Sequence, residues 1–195
     1  MYNTSWNDFI GKNSNNLTAA FEDLARYLFR KKYDVSYALP YFKNHPGNET
    51  AVIKRGDEVI GFQAKYFENE IDATNIIHSI QLAKKWCPEQ TLLVIYTNKE
   101  FGIPKTIGNV TSQKQDNIQK VAKDLGLRLE WMFGDNILDV VKETPVAYDI
   151  YFNQKSHLQN LNHDLEECNE AKLSLINDNI KYGDKNISIE RYDYI

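Results

Sequence analysis

Apolar positions recur along the first 152 residues with two different periods, which predict a mixture of helices and strands. From about Asn16 to Lys32, apolar residues return every three or four positions, at Leu17, Phe21 and Leu24, as on one face of a helix. From Thr91 to Tyr96 the chain is continuously apolar, as expected of a strand buried on both faces. The other predicted elements are strands at Glu49–Lys54, Glu58–Tyr66 and Arg128–Phe133, and helices at Asp72–Trp86, Gln113–Leu125 and Asp135–Lys142. This order predicts an α/β fold with a mixed central sheet flanked by helices.

The pattern changes after residue 152. From Gln154 to Asp178 the chain is polar with leucines at helical spacing, and residues 185–195 alternate like a strand that has no visible partner. We therefore expect a domain at 1–152 followed by a helical linker at 153–195. The unpartnered strand also leads us to expect that the chain was cut from something longer.

Composition and charge narrow the class of protein. A content of 42% hydrophobic residues in 195 positions is enough for one soluble domain with a core. The sequence contains no run of 18 apolar residues that could span a membrane. The chain has 23 Lys and Arg against 27 Asp and Glu. An acidic balance disfavours a protein that coats nucleic acid by bulk charge, but it allows an enzyme with a local basic patch. Two cysteines without zinc-ligand spacing fit a reducing cytoplasm.

Polar residues interrupt the strand predicted at 58–66. Side chains alternate across a strand, so Gln63 and Lys65 share one face, opposite the apolar residues of the same strand. An amide and an ammonium in a compact core need polar partners or a function. If the hairpin loop is the three residues Arg55–Asp57, Glu49 lies directly opposite Gln63, whereas a two- or four-residue loop shifts the pairing by one.

A second carboxylate comes from the first predicted helix, where Glu22 lies about 100° from the centre of the apolar stripe. Oxygen ligands from Glu22, Glu49 and Gln63 suit Mg²⁺, for which Mn²⁺ can substitute. Lys65 beside such an ion could stabilise the charge of a pentavalent phosphate or orient the attacking water. Each residue alone is more often structural, for example as a Glu22–Arg26 pair or an edge-strand lysine. Their joint order predicts metal-assisted phosphodiester hydrolysis.

Several other side chains are candidate contacts to a DNA backbone, each with an ordinary structural alternative. A basic cluster at the end of the first helix equally complements the helix dipole. For a lysine in the apolar stripe of the second helix, the default interpretation is a side chain that extends its ammonium to water. An asparagine after the central strand lies where α/β sheets place functional residues, but turns also begin there. The candidates are Arg26, Arg30, Lys31, Lys32, Ser79, Lys84 and Asn98.

Several segments resemble a known nuclease family. GNETAVIKRGDEVIGFQAKYF resembles the second and third motifs of the PD-(D/E)xK nuclease superfamily, in the Gln-x-Lys form of Mrr-like restriction endonucleases, and FEDLARYLF resembles the helix that supplies the first acidic residue. More narrowly, AFEDL, HPGNET, IGFQAKYF, HSIQLAKK, LLVIYTNKEFG and LEWMFG together resemble the N-terminal nuclease domain of bacterial antiviral STAND NTPases, the Avs family. The tail NDNIKYGDKNISIERYDYI resembles the segment that joins this nuclease to its ATPase.

The resemblance implies a restriction-endonuclease-like core in which Glu22, Glu49 and Gln63 ligate the metal and Lys65 is the catalytic lysine. It implies a Mg²⁺-dependent endonuclease that degrades double-stranded DNA as the cytoplasmic effector of a bacterial antiphage system, active as a homo-oligomer. ATPase and phage-sensor domains are then expected in the full-length protein.

The chain departs from the superfamily pattern at Gln63, where an amide replaces the acidic residue of the last motif. Two alternatives therefore stay open. One is a stand-alone Mrr-type restriction endonuclease, which would need a means of recognising DNA sequence or methylation. The other is a catalytically inactive nuclease-fold module for oligomerisation or binding, which the neutral Gln63 and the acidic composition favour.

Overall fold

The computed structural model describes residues 4–35, 40, 47–102 and 112–154. The chain divides into two units, Met1–Asn153 and Gln154–Ile195, and all the elements described here belong to the first. In chain order they are α1 Trp6–Asn13, α2 Leu17–Lys32, β1 Ile53–Arg55, β2 Glu58–Lys65, α3 Ala73–Trp86, β3 Leu92–Thr97, α4 Gln113–Asp124, β4 Arg128–Met132, α5 Gly134–Lys142 and α6 Pro145–Tyr151. The linker predicted at 153–195 lies outside the described residues, apart from Asn153 and Gln154.

Within the described residues, four strands form one open mixed sheet in the order β1-β2-β3-β4. β1 is antiparallel to β2, whereas β2, β3 and β4 are parallel to one another. Parallel strands point the same way, so their last residues, Lys65, Thr97 and Met132, lie at one edge of the sheet. We call this edge the carboxyl edge, and it is where open α/β sheets commonly bind ligands.

Two hydrophobic cores cover the two faces of the sheet. On one face, side chains such as Phe62 and Val94 pack with α1, α2, α5 and α6. On the other face, Leu93 and Ile95 pack with α3 and α4. Because β3 contributes to both cores it is buried along its whole length, which confirms the prediction of a central strand and of a mixed α/β sheet. We refer to the two sides as the α2 face and the α3 face.

The long helices begin and end where the sequence predicts. Asn16 caps α2 by accepting the backbone N–H of Ala19 at 3.1 Å, and Asp72 caps α3 in the same way through Asn75. The structure adds α1 and α6, which the sequence analysis missed because helices of eight and seven residues show too few turns of apolar periodicity. No helix among the described residues is long and apolar enough to cross a membrane.

The hairpin differs from the prediction. β1 covers only Ile53–Arg55 and begins four residues later than predicted. Its loop to β2 is two residues, Gly56 and Asp57, and Lys54 pairs with Val59. Gly56 has a φ of 57°, which glycine adopts without a steric penalty. The three-residue loop is therefore wrong, and the strand pairing is shifted by one residue from the one it predicts.

Candidate functional site

β2 carries two chemically different faces, as the alternation predicts. Phe62 and Ala64 belong to the hydrophobic core on the α2 face. Gln63 and Lys65 point the other way and line a small space with Ile76 and other apolar residues on the α3 face. Gln63 is only 4% exposed, so its amide is a buried polar group in an otherwise apolar layer.

Glu49 lies before β1, and its buried carboxylate joins the polar face of β2. The carboxylate oxygen Oε1 accepts the backbone N–H of Ala64 at 3.2 Å and the side-chain N–H of Gln63. The backbone N–H of Glu49 donates to the carbonyl of Phe62 at 3.1 Å. The structure therefore brings Glu49 and Gln63 together, although not through the strand pairing that the sequence analysis assumed.

The reason is an irregular backbone before β1. Successive side chains of a regular strand point to opposite faces. Asn48 and Glu49 nevertheless both reach the α3 face, because Asn48 lies over Gly61 while Glu49 binds Gln63. A regular strand cannot place two consecutive residues on one face, so this segment stands outside the ladder and β1 begins later.

Glu22 approaches the same place from the other layer. Glu22 follows Phe21 on α2. The Phe21 ring packs against Tyr66, the residue directly after β2, at a centroid distance of 5.8 Å. The negative charge of Glu22 adds to the burial that raises the pKa of Glu49, and it opposes the burial that lowers the pKa of Lys65. The structure therefore brings Glu22 into electrostatic range of the residues on β2.

One further acidic residue belongs to this neighbourhood. The negative charge of Asp72, the N-cap of α3, also reaches Lys65, where it opposes the burial that lowers the pKa of the ammonium. The sequence analysis placed Asp72 at the start of a helix but did not connect it to Lys65. Such a link depends on how the chain after β2 turns back over the sheet, and no sequence period records that path.

Burial dominates the electrostatics of Glu49 and Lys65. It raises the pKa of the Glu49 carboxyl, against hydrogen bonds from Gln63 and the Ala64 N–H that lower it. Burial lowers the pKa of Lys65, and the negative charges of Glu49, Glu22 and Asp72 oppose this. The fold therefore holds a buried carboxylate and a half-buried ammonium near each other, with burial disfavouring the charged form of each.

The side-chain oxygens fit a hard divalent cation. Gln63 turns its N–H toward Glu49, and its buried Oε1 accepts no hydrogen bond from any described residue. Rotating the amide by 180° would point this oxygen toward the Glu49 carboxylate, and two oxygens face each other stably only with a cation or a proton between them. Carboxylate and amide oxygens are the ligand types that Mg²⁺ and Mn²⁺ take, so Glu49 and Gln63 fit such an ion.

This ligand set is unusual in its charge. Nowhere in the described ranges do three or more His, Cys, Asp and Glu side chains lie together in a way that could hold a metal ion. The candidate set consists instead of an amide and a buried carboxylate, with Glu22 within electrostatic range. Neutral Gln63 brings no charge to the site, so its contribution is a lone pair and a fixed position.

Arg26 lies one turn of α2 from Glu22 and lines the same pocket, whereas the other basic candidates on α2 lie further along the helix. Helical rise puts Lys32 roughly 15 Å along the axis from Glu22. Each of the four has a partner within the fold: Arg26 pairs with Asp23, Lys32 pairs with Glu130, Lys31 donates to Thr144 at 2.6 Å, and Arg30 donates to the carbonyl of Val35 at 3.4 Å. Their contact with DNA stays a prediction.

The remaining candidates lie beside the cluster and serve its framework. Ser79 is 5% exposed and lines the same small space as Gln63 and Lys65. Asn98 binds both backbone groups of Phe67, at 2.8 and 2.9 Å, and so ties the chain after Lys65 to the end of β3. For these two residues, too, a direct contact with DNA stays a prediction.

Lys84 also contacts the fold itself, since its ammonium donates to the backbone carbonyl of Gln90 at 2.8 Å. This bond holds the loop between α3 and β3. The lysine therefore extends toward a protein carbonyl, and its contact with phosphate stays a prediction.

Comparison with known proteins assigns no family. No protein-family model matches the chain, and no curated protein matches it. Function is therefore inferred from the geometry around Glu49, Gln63 and Lys65 and from the motif resemblance.

Proposed function

We propose that this chain is a metal-dependent DNA endonuclease that hydrolyses phosphodiester bonds. Glu22, Glu49 and Gln63 are its proposed metal ligands, and Lys65 is its proposed catalytic lysine. The observation that carries the proposal is the meeting, at the end of β2, of a buried carboxylate, a buried amide whose oxygen has no donor among the described residues, and a lysine. Such groups are destabilising in a core unless protein partners or a ligand satisfy them, and the Gln63 oxygen has no such partner among the described residues.

Each residue has a distinct proposed role. Glu49 and Gln63 would hold the cation, and Glu22 on α2 would be its third protein ligand. When bound, the cation supplies Lewis acidity toward the phosphate oxygens and favours deprotonation of the attacking water. Lys65 places a positive charge where negative charge develops on the phosphate, and hydrogen bonds from its ammonium orient the water. Burial makes these interactions stronger than they would be in bulk water.

The wider assignment comes from the motif resemblance. It supports a restriction-endonuclease-like core, double-stranded DNA as the substrate and a homo-oligomer as the active form. It also supports a cytoplasmic effector of bacterial antiphage defence, joined in the full-length protein to ATPase and phage-sensor domains. These statements are part of the proposal and depend on the chemistry being that of a nuclease.

Plasmid cleavage tests the proposal directly. Wild-type protein at high concentration is incubated with supercoiled plasmid in Mg²⁺, Mn²⁺ or EDTA, beside Lys65→Ala. We expect metal-dependent nicking or linearisation that falls at least 100-fold in the variant, because a positioned group of this kind contributes about 10²–10⁴ in rate. Lys54→Ala is the matched control, since it removes an exposed lysine from the neighbouring strand.

A forced dimer completes the test. If the isolated chain is silent in every lane, fusion to a dimerising or tetramerising partner supplies the proximity that cleavage of two strands requires. Metal-dependent cleavage by the fusion, lost in Lys65→Ala, supports the proposal. Silence of the fusion as well, or cleavage that Lys65→Ala leaves unchanged, contradicts it and favours the inactive nuclease-fold module.

A further inference from the structure

A buried pair of amide side chains lies next to the candidate metal ligands. Asn48 donates its side-chain N–H to the Gln90 amide oxygen at 2.9 Å, and Gln90 donates back to the Asn48 oxygen at 3.3 Å. Gln90 also donates to the carbonyl of Leu92, at the start of β3, at 3.0 Å. Asn48 and Gln90 are 3% and 0% exposed, so these bonds form away from water, where amides are costly to leave unpaired. We call Asn48 and Gln90 the amide clamp.

Two glycines make room for this clamp. Gly61 lies directly beneath it on β2, where a Cβ would come within 2.1 Å of Asn48 Oδ1 and 2.5 Å of Gln90 Nε2. Gly47, next to Asn48, packs so closely on α3 that a Cβ would lie 2.4 Å from the backbone nitrogen of Ala83. The backbone before Glu49 is thus held against both the sheet and a helix.

The clamp lies on the same side of β2 as the proposed ligand. Gly61, Gln63 and Lys65 are alternate residues, so they share the α3 face. A rise of about 3.3 Å per residue puts the clamp roughly 7 Å from Gln63 along the strand. Glu49 directly follows Asn48, and it has no regular strand to fix its direction, because β1 begins at Ile53.

We propose that the Asn48–Gln90 amide clamp is a positioning device that directs the Glu49 carboxylate toward Gln63, so that the two present their oxygens to one divalent cation. The inference rests on the proposed function, since it takes Glu49 as a metal ligand. Asn48 and Gln90 are positioning residues that leave the metal to Glu49 and Gln63. Gly61 is part of the device, because any larger residue there displaces both amides.

Lys84 strengthens the device. Its hydrogen bond to the Gln90 carbonyl fixes the backbone that carries one half of the clamp. A helix, a loop and the segment before β1 therefore meet at Gln90, and the position of Glu49 depends on residues 42 positions apart in sequence. Supporting partners of this kind typically change metal affinity 10–100-fold when they are removed.

The test compares metal affinity with an independent, metal-free measurement. Mn²⁺ dissociation constants are measured by calorimetry for wild type, Asn48→Ala, Gln90→Ala and the double variant. We expect a 10–100-fold weaker affinity in each single variant and no further loss in the double variant, as for two residues that act as one pair. In the metal-free protein, the NMR resonances of the Gln63 side-chain amide, which donates to Glu49, should shift in all three variants.

Two further variants separate positioning from general stability. Asn48→Leu with Gln90→Met keeps the packed volume but removes the hydrogen bonds. This variant should therefore stay folded, and its Mn²⁺ affinity should be as weak as that of the alanine variants. Exchanging the two amides, by Asn48→Gln with Gln90→Asn, should restore part of the affinity. Ile118→Ala on α4 is the control, because it removes buried apolar groups from a different helix and should leave affinity unchanged.

The outcomes distinguish this inference from the proposed function. If wild type binds Mn²⁺ and the clamp variants bind it equally well, the clamp is a structural contact only and the inference is overturned, while the proposed function stands. If wild type binds no Mn²⁺, the proposed function fails. The NMR measurement then still reports whether the clamp holds Glu49, and unchanged Gln63 amide resonances in the variants would overturn that as well.

Discussion

Two neighbouring residues of β2, Phe62 and Gln63, are buried to nearly the same extent, at 0% and 4% exposure, yet they do opposite things. On the α2 face, Phe62 stacks on Phe29 at a centroid distance of 4.6 Å and meets Tyr96 edge-on at 5.9 Å. On the α3 face, the Gln63 side chain donates to Glu49 and buries an oxygen that no described residue satisfies.

The comparison teaches that burial has two separate uses in this strand. Apolar burial on the α2 face stabilises the fold, since each large side chain contributes by leaving water. Polar burial on the α3 face works against stability, because an amide, a carboxylate and an ammonium all lose hydration there. A fold retains such groups when the same low dielectric strengthens binding or catalysis, and that is the basis of the proposed site.

The largest expected effect on stability comes from the apolar face. Phe62→Ala should lower the free energy of unfolding by about 3–5 kcal/mol, because it removes a fully buried ring and leaves a cavity. Urea denaturation measures this loss. Mn²⁺ affinity of the folded protein should change little, since the ring lies on the opposite side of the strand from Gln63. A loss below about 1 kcal/mol, or a collapse of metal affinity in folded protein, would contradict the separation of the two faces.

The polar face should respond in the opposite direction. Glu49→Gln should raise the free energy of unfolding at pH 7 by about 1 kcal/mol, because it removes a buried charge whose hydrogen bonds only partly offset its burial. Metal binding should be lost in the same variant. Urea denaturation at pH 7 and at pH 4, with calorimetry for Mn²⁺, measures both effects.

The pH dependence of this gain follows from the raised pKa of Glu49. The folded protein keeps the Glu49 proton to a higher pH than the unfolded chain does. In the unfolded chain the Glu49 carboxyl has its ordinary pKa of 4.5. The cost of ionisation is therefore absent well below pH 4.5 and complete above the folded pKa, so the gain from Glu49→Gln should disappear in acid. Glu68→Gln, at an exposed position just beyond β2, is the control. A gain that persists unchanged at pH 4 would show that the buried charge is not its source.

The smallest expected effect concerns the basic cluster at the end of α2. Lys32 forms a partly exposed ion pair with Glu130, and such pairs contribute only about 0–1 kcal/mol. If the cluster guides DNA, Lys32→Gln should leave stability almost unchanged and reduce the slope of log affinity against log salt by about 1. Fluorescence anisotropy with Ca²⁺ in place of Mg²⁺ measures this slope, and Lys142→Gln on α5 is the control. A slope equal to that of wild type would mean that the cluster complements the dipole at the end of α2 and does not guide DNA.

Much of the fold was predictable because its signals are local. The spacing of apolar residues located the ends of α2, α3 and α4 to within two residues, and the continuous apolar run at 91–96 identified the central strand. The short helices α1 and α6 escaped, because seven or eight residues give too little periodicity. The hairpin register was wrong for a different reason: it depends on turn geometry, and a two-residue loop closed at Gly56 shifts every pair by one.

The candidate site also has one part that the sequence predicts and one part that it does not. Alternation along β2 was enough to put Gln63 and Lys65 together on one face, because a period of two follows from the extended backbone alone. In the proposed device, the position of Glu49 depends on the amide pair of Asn48 and Gln90, and the approaches of Glu22 and Asp72 depend on how α2 and α3 pack on the sheet. These contacts join residues far apart in the chain through irregular backbone, for which no short-range period exists. The amino-acid sequence therefore determined which groups share the strand, and long-range packing decided which carboxylates meet them.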